Sequence, residues 1–330
     1  MRKDAALKRT ESAAIAAALL LAAAGAALLL RPRPVFLVEK EFVPAWESLL
    51  TSIPGAPRWR VLEYDPHGGS NSARRLRGIL VTADKGGSAS PGTGAAVSLP
   101  AVRRDLSRAR FADGALALAV DPWLVFRRHR TPPLARNRLE LPASGAGILL
   151  LPGGEPEALW AWAAQELQHR PGTFSRDPGE WAEKMRRLSR SGRFQPGALT
   201  FTWEDVWPRL FGAEAAWVYA PLSRVQAFPG DRTSLLSADP FPVPEGWNEF
   251  GLQARVLWAV PYESGMSGGR TEKAVDWLRK PETQSALAES LKWVPARRDA
   301  KPSTPLAHAA QKAWIDSSFV WEAPRYANFD

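Results

Sequence analysis

LQARVLWAVPYESGMSGGRTEKAVDWLRKPETQSALAESLKWVPARRD, residues Leu252 to Asp299, carries two periodicities in turn. Arg255 to Val260 (RVLWAV) is an apolar run of strand length, closed by Pro261 and then by Gly265, Gly268 and Gly269. Ala274, Val275 and Leu278 fall at helical spacing. Pro281 suits the first turn of a second helix, where its missing N–H would have had no partner. Glu282 in that turn favours the positive end of the helix dipole. Leu287 and Leu291 continue the apolar stripe and Pro295 ends it. Strand, glycine-rich loop, helix, proline break and helix together predict an α/β protein.

The same order resembles the signature near the C-terminus of the extracellular solute-binding proteins of ABC importers, of the maltose and oligosaccharide type. Lys273, Ala274, Trp277, Leu278, Pro281, Glu282, Gln284, Leu287, Ala288, Val294, Pro295 and Ala296 carry the likeness, a pattern spread over roughly forty residues and more specific than one short motif. The resemblance implies a two-lobed, periplasmic-binding-protein-like fold of type II, and the uncharged run Ser12–Leu30 would place a transmembrane helix before it. Its divisions would be 1–33 as signal-anchor or transmembrane segment, 34–120 plus 252–296 as the N-terminal α/β lobe, and 121–251 plus 297–330 as the C-terminal α/β lobe.

Composition sets bounds on this reading. The 330 residues, 45% of them hydrophobic, suffice for one large or two ordinary cores. With 0 cysteines there is no disulfide framework, no cysteine zinc site, no thiol nucleophile and no lipobox. His67, His129, His169 and His308 are scattered, so no metal site and no cofactor are expected. The net charge is +9, of which six basic residues against Asp4 and Glu11 place +4 in the first 33 residues. The +5 that remains is an ordinary surface, and no nucleic-acid partner is expected. The 15 tryptophans suit both cores and platforms on which sugar rings stack.

Ser12 to Leu30 is an uncharged run long enough to span a hydrocarbon core, and the basic residues before it hold the N-terminus in the cytoplasm. The chain beyond Arg31 is then exported to the periplasm or its extracytoplasmic equivalent. Ala24-Gly25-Ala26 has the form of a signal-peptidase site, whereas Leu28 to Leu30 before Arg31-Pro32 read as the end of an uncleaved anchor in the cytoplasmic membrane. Val35–Val38 and Trp59–Tyr64 predict strands and Pro44–Leu50 a helix. Leu76, Ile79, Leu80 and Ala83 fit helical spacing, with Ser70 or Ser72 as cap. Asp84–Gly94 is a flexible loop and Ala95–Leu99 a short strand.

Gly114 to Phe126 (GALALAVDPWLVF) resembles the strand that crosses between lobes in that family. Asp121, Pro122, Trp123 and Phe126 keep its shape, while Arg127-Arg128 replaces the usual Tyr-Asn. After the strand Ile148–Leu151, the Glu155-Pro156 helix start and Trp160 resemble an element lining the family's cleft. A carboxylate accepts bonds from sugar hydroxyls while a ring covers the pyranose face. Glu155 is equally readable as a plain helix-start acid. Gly179–Arg190 and Trp203–Phe211 predict helices, and Ala215–Tyr219 a strand with Tyr219 as its nearest ring. Phe241–Gly246 resembles a further family strand, with Trp247 and Asn248 in the loop after it. The tail, with Trp314, Phe319, Trp321 and Tyr326, reads as a last helix pair.

One motif points to an enzyme. Gly265-Met266-Ser267-Gly268-Gly269 fits G-x-S-x-G between a strand and a helix, but Pro261–Ser264 separates it from the strand and only His308 comes later as a base. A serine hydrolase using Ser267 is therefore the lesser alternative, and no enzymatic activity is expected. The resemblance implies a small solute, a sugar or oligosaccharide, captured between lobes and delivered to an ABC permease. Ligand-binding candidates are Asp121, Trp123, Glu155, Tyr219, Trp247 and Trp321. The departures from the family pattern, with Ala95-Ala96 where an aspartate is usual, support a second class: a degenerate, membrane-tethered module that holds a protein partner.

Overall fold

A computed structural model describes residues 34–64, 78–83, 115–135, 149–167, 190, 197–228, 231–243, 251–262, 269–317 and 319–322. The chain opens with β1 (Val35–Glu39), α1 (Val43–Ser52), β2 (Arg60–Tyr64) and β3 (Gly78–Thr82). A long strand β4 (Leu116–Arg128) comes next, then β5 (Leu149–Leu150) and α2 (Pro156–Leu167). After these stand α3 (Trp203–Phe211), β6 (Trp217–Pro221), α4 (Leu222–Gln226) and β7 (Leu236–Asp239). The last part holds β8 (Gly251–Tyr262), α5 (Gly269–Arg279), α6 (Pro281–Leu291), β9 (Val294–Pro295), α7 (Pro305–Asp316) and β10 (Phe319–Glu322).

The strands lie in the order β2-β1-β3-β8-β4-β6-β5, with β10 beside β8 and with β7 and β9 beside β4. β1, β2 and β3 run parallel, and β8 enters antiparallel to both β3 and β4. Two hydrophobic cores are built on this frame. Phe36, Trp46, Leu49, Ile79, Leu257, Trp277, Leu287 and Trp293 belong to the first. Phe126, Leu150, Trp162, Val206, Leu210, Val218, Leu306 and Trp314 belong to the second.

β4 and β8 serve both cores. Along β8, Leu257 and Ala259 enter the first core while Leu252, Ala254, Val256 and Trp258 enter the second, the two faces that strand alternation provides. β4 spans about 40 Å at the usual strand rise and is buried from Leu116 to Phe126. It pairs with β8 as far as Pro122, then with β6 from Trp123 onward.

The motif that carried the family resemblance ties helices to strands. Gln284 is fully buried; its amide nitrogen donates to the carbonyls of Ala117 (3.4 Å) and Leu278 (3.3 Å), and its oxygen accepts the Arg297 N–H (3.1 Å). Gln311 and Trp314 on α7 then donate to the carbonyls of Arg297, Ala300 and Ala296. Pro295 does more than end a helix, because Val294–Pro295 pairs with β4 as β9.

Three sequence expectations change. Residues 78–82 form β3 and not a helix, because Ile79 and Val81 alternate into the first core and β-branched residues favour the pleat. Gly78 is required there, since a Cβ would collide with the Val35 carbonyl of β1. The tail holds one helix, α7, and then strand β10 parallel to β8, in place of a helix pair. Phe241–Val243 has no strand, and the strand of this region is β7, which begins at Leu236. Asp84–Leu99, Gly179–Ser189 and Ser267 lie outside the described residues, as do Ser12–Leu30; among the described residues no helix is long and apolar enough to cross a membrane.

Candidate functional site

The two cores meet where β4 and β8 cross. Asp121 pairs with Arg255 and Pro122 with Ala254 at the end of that ladder. Asp121 is buried, and its carboxylate accepts the backbone N–H of Ser223 (2.9 Å) and the Ser223 hydroxyl (2.6 Å). Burial raises its pKa to about 6; the Ser223 bonds and the charge of Arg255 oppose the rise, and Glu157 adds to it.

Arg255, opposite Asp121 in the ladder, and Glu157, whose charge also acts on it, each belong to a cluster of similar make. On the first-core side the Arg255 guanidinium donates to Glu41 (2.5 Å) and lies 5.9 Å from the Phe42 ring and 5.6 Å from the Trp293 ring. On the second-core side Glu157 accepts from the Trp203 indole (3.1 Å) and from Arg224 (3.3 Å), whose guanidinium lies 5.7 Å from the Trp203 ring. Cations over aromatic faces are held by the ring quadrupole and still present in-plane donors.

Local sequence explains how the second cluster is placed. Gly153 and Gly154 donate to the carbonyls of Ala198 and Phe201, and a Cβ on Gly153 would come within 2.6 Å of the Ala198 oxygen. That contact needs the Pro152-Gly153-Gly154 turn and seats the start of α2 against the start of α3. Glu155 consequently accepts the Trp203 backbone N–H at 3.4 Å. Trp123 lies 6.0 Å from Trp203 and 5.4 Å from Tyr219, and Tyr219 in turn lies 5.1 Å from Phe241. Full burial pushes the Tyr219 phenol well above its usual range. Among the described residues no group of three or more His, Asp or Glu is placed to hold a metal ion.

No family model matches the sequence, and neither does any curated protein. Solved structures do. The bacterial solute receptor AcbH, described with an exclusive preference for β-D-galactopyranose, matches over 88% of each chain with a TM-score of 0.63 at 14% identity. The cyclic α-maltosyl-1,6-maltose binding protein of Arthrobacter globiformis matches over 90% of this chain and 89% of its own, with a TM-score of 0.55 at 13% identity. The ferric iron-binding protein A of Mannheimia haemolytica matches over 84% and 90%, with a TM-score of 0.50 at 11% identity. The fold is that of a solute-binding protein. It does not by itself name a cargo, since the three structures differ in theirs.

Within this solute-binding fold, four of the six residues singled out in the sequence come together. Asp121, Trp123, Glu155 and Tyr219 all stand on the second-core side of the crossing. Asp121, Trp123 and Tyr219 are buried, with protein atoms as their neighbours. Trp321 stands on β10, paired with Gln253 of β8, and Trp247 lies outside the described residues. Sequence reasoning missed Glu41, Glu157, Trp203, Arg224 and Arg255. Arg255 offers a signal, as the one cation of the β8 strand sequence GLQARVLWAVPY.

Proposed function

We propose that the chain is the substrate-binding component of an ABC-type importer, holding a small solute, a carbohydrate first, between lobes built on the two cores. The lobes would be 34–120 plus 252–296 and 121–251 plus 297–330, with the cleft at the β4–β8 crossing and bending of the two strands closing it on the solute. One observation carries this reading: the charges of Arg255 and Glu157 both act on buried Asp121, and each belongs to an ion pair, Arg255–Glu41 and Arg224–Glu157, whose arginine lies over an aromatic ring. Such pairs offer charged donors and acceptors to hydroxyl groups. Binding, closure and release require no covalent step. The work would be done outside the cytoplasmic membrane, with Ser12–Leu30 as anchor and a permease as the receiving partner.

A second reading has its own support. Asp121 commits both oxygens to Ser223, and Trp123 and Tyr219 are packed away, so the interior side of the crossing is filled by the protein itself. A site closed in this way favours a tethered module with a protein partner. A thermal melt of the full chain with mono- and oligosaccharides separates the two. A solute at a hundred times its Kd adds about 2.7 kcal/mol, a shift of several degrees. A shift from one sugar class, lost in Arg255→Ala, supports transport; a flat panel of sugars, peptides and metal ions overturns it in favour of the module.

A further inference from the structure

Gln253 stands just past the end of the β4–β8 ladder, and among the described residues its side chain makes no hydrogen bond. It is 1% exposed, and neither its amide nitrogen nor its amide oxygen has a partner. A primary amide offers two donors and an acceptor with two lone pairs, so burying it unpaired forfeits every bond it made to water. The other buried amides and the buried acid of the crossing are paired: Asp121 with Ser223, Gln284 with three backbone groups and Gln311 with two. Each unpaired buried group in a native fold calls for a reason of its own.

Its position supplies one. Gln253 is two residues before Arg255, so the two side chains leave β8 on one face, about 7 Å apart along the strand. They are the two polar side chains of Leu252–Val260, whose other members are all apolar. The backbone at Gln253 pairs with β10, while β4 has turned away after Pro122 toward β6. The amide therefore sits where the ladder changes partner, on one of the two strands that serve both cores.

We infer that Gln253 is a specificity-determining residue of the solute site, reading a vicinal pair of hydroxyls beside the donors of Arg255. This rests on the reading that a solute is held at the crossing. A vicinal diol presents a donor and an acceptor side by side, the complement of a primary amide. A solute lacking one of those hydroxyls leaves the amide half-paired and is rejected, whereas an apolar pocket could not make that distinction. The amide touches no solvent, so a solute reaches it only as the strands bend and the side chains around it part.

The test compares Gln253→Met with the native chain in two measurements. Methionine keeps the volume and length and removes the unpaired amide. In the melt without solute, the variant is expected to match or exceed the native Tm by about 2–4 °C. In titrations with the sugar that shifts the native melt, affinity is expected to fall about 10–100-fold, and the matching deoxy sugar should no longer be discriminated from its parent. A variant that melts lower without solute shows that the amide is paired, which overturns the inference. A variant that binds and discriminates like the native chain also overturns it. A native chain that binds no sugar, peptide or metal ion removes the transport reading, and the inference falls with it.

Discussion

The two arginines at the crossing are alike in partners and unlike in footing. Arg255 rises from a twelve-residue strand, its guanidinium near two buried rings, Phe42 and Trp293, with a side chain 33% exposed. Arg224 stands on a five-residue helix over one ring, with a side chain 50% exposed. A cation held among buried rings by a long strand is pre-organised; one on a short helix in water still loses side-chain entropy when it is used. On the proposed reading, the first-core side would serve as the fixed template and the second-core side as the adaptable one.

The largest effect that tests this contrast lies beneath the arginines. Trp293→Ala and Trp203→Ala each remove a ring with about 95% of its surface buried and should each cost about 3–5 kcal/mol in denaturant melts. Equal losses mean that the two sides share equally firm foundations and differ only in their cations. A much smaller loss at Trp203 would place the adaptability in the foundation as well.

Next in size is the proton on Asp121, near the end of the β4–β8 ladder. Its folded pKa of about 6 is above the ordinary 3.8, so the folded state binds the proton more tightly than the unfolded chain. The stabilisation is complete below the unfolded pKa and is lost as pH rises through about 6, a decline of roughly 3 kcal/mol. Melts of the native chain between pH 4 and 7 should show that decline. Asp121→Asn should flatten it, since the Ser223 hydroxyl can turn to accept from the new amide.

The smallest effect separates the cations directly. Arg255→Met should cost about 1–2 kcal/mol, the range for a cation partly shielded over rings. Arg224→Met should cost less than about 0.5 kcal/mol, as exposed pairs do. Matching losses in a parallel melt would erase the distinction between template and adaptable side.

How far the sequence disclosed all this depends on how local the cause is. The pattern from Lys273 to Ala296 was legible because most of its hub is local: Gln284 bonds Leu278 and the Arg297 N–H, both close in the chain, and only its bond to Ala117 is distant. α3 was legible with its ends at Trp203 and Phe211, since its apolar stripe is strong on one face. β3 was not, because Leu76, Ile79, Leu80 and Ala83 satisfy helical spacing while the strand is imposed by β1 and β8 on either side. In the candidate site, Asp121, Trp123, Glu155 and Tyr219 were reached through the family resemblance of the strand, the helix start and the second strand that carry them. Their partners were not, because distant contacts bring them there: the pairing of β6 with β4 places Ser223, and the contact of Gly153 with Ala198 places Trp203 against Glu157.

The antiparallel pairing of β3 with β8 also sets a schedule for the chain. Gly78 lies against Tyr262, and Trp46 of the first core is completed by Trp277 and Leu287 from far later in the sequence. Contacts of such separation close slowly, because the loop entropy must be met before they form. A chain emerging N-terminus first therefore holds β1, β2 and β3 without a lid until residues 251–293 have emerged too. During that interval β3 is a bare edge open to other chains. Whatever escorts the nascent polypeptide must cover that edge until β8 arrives.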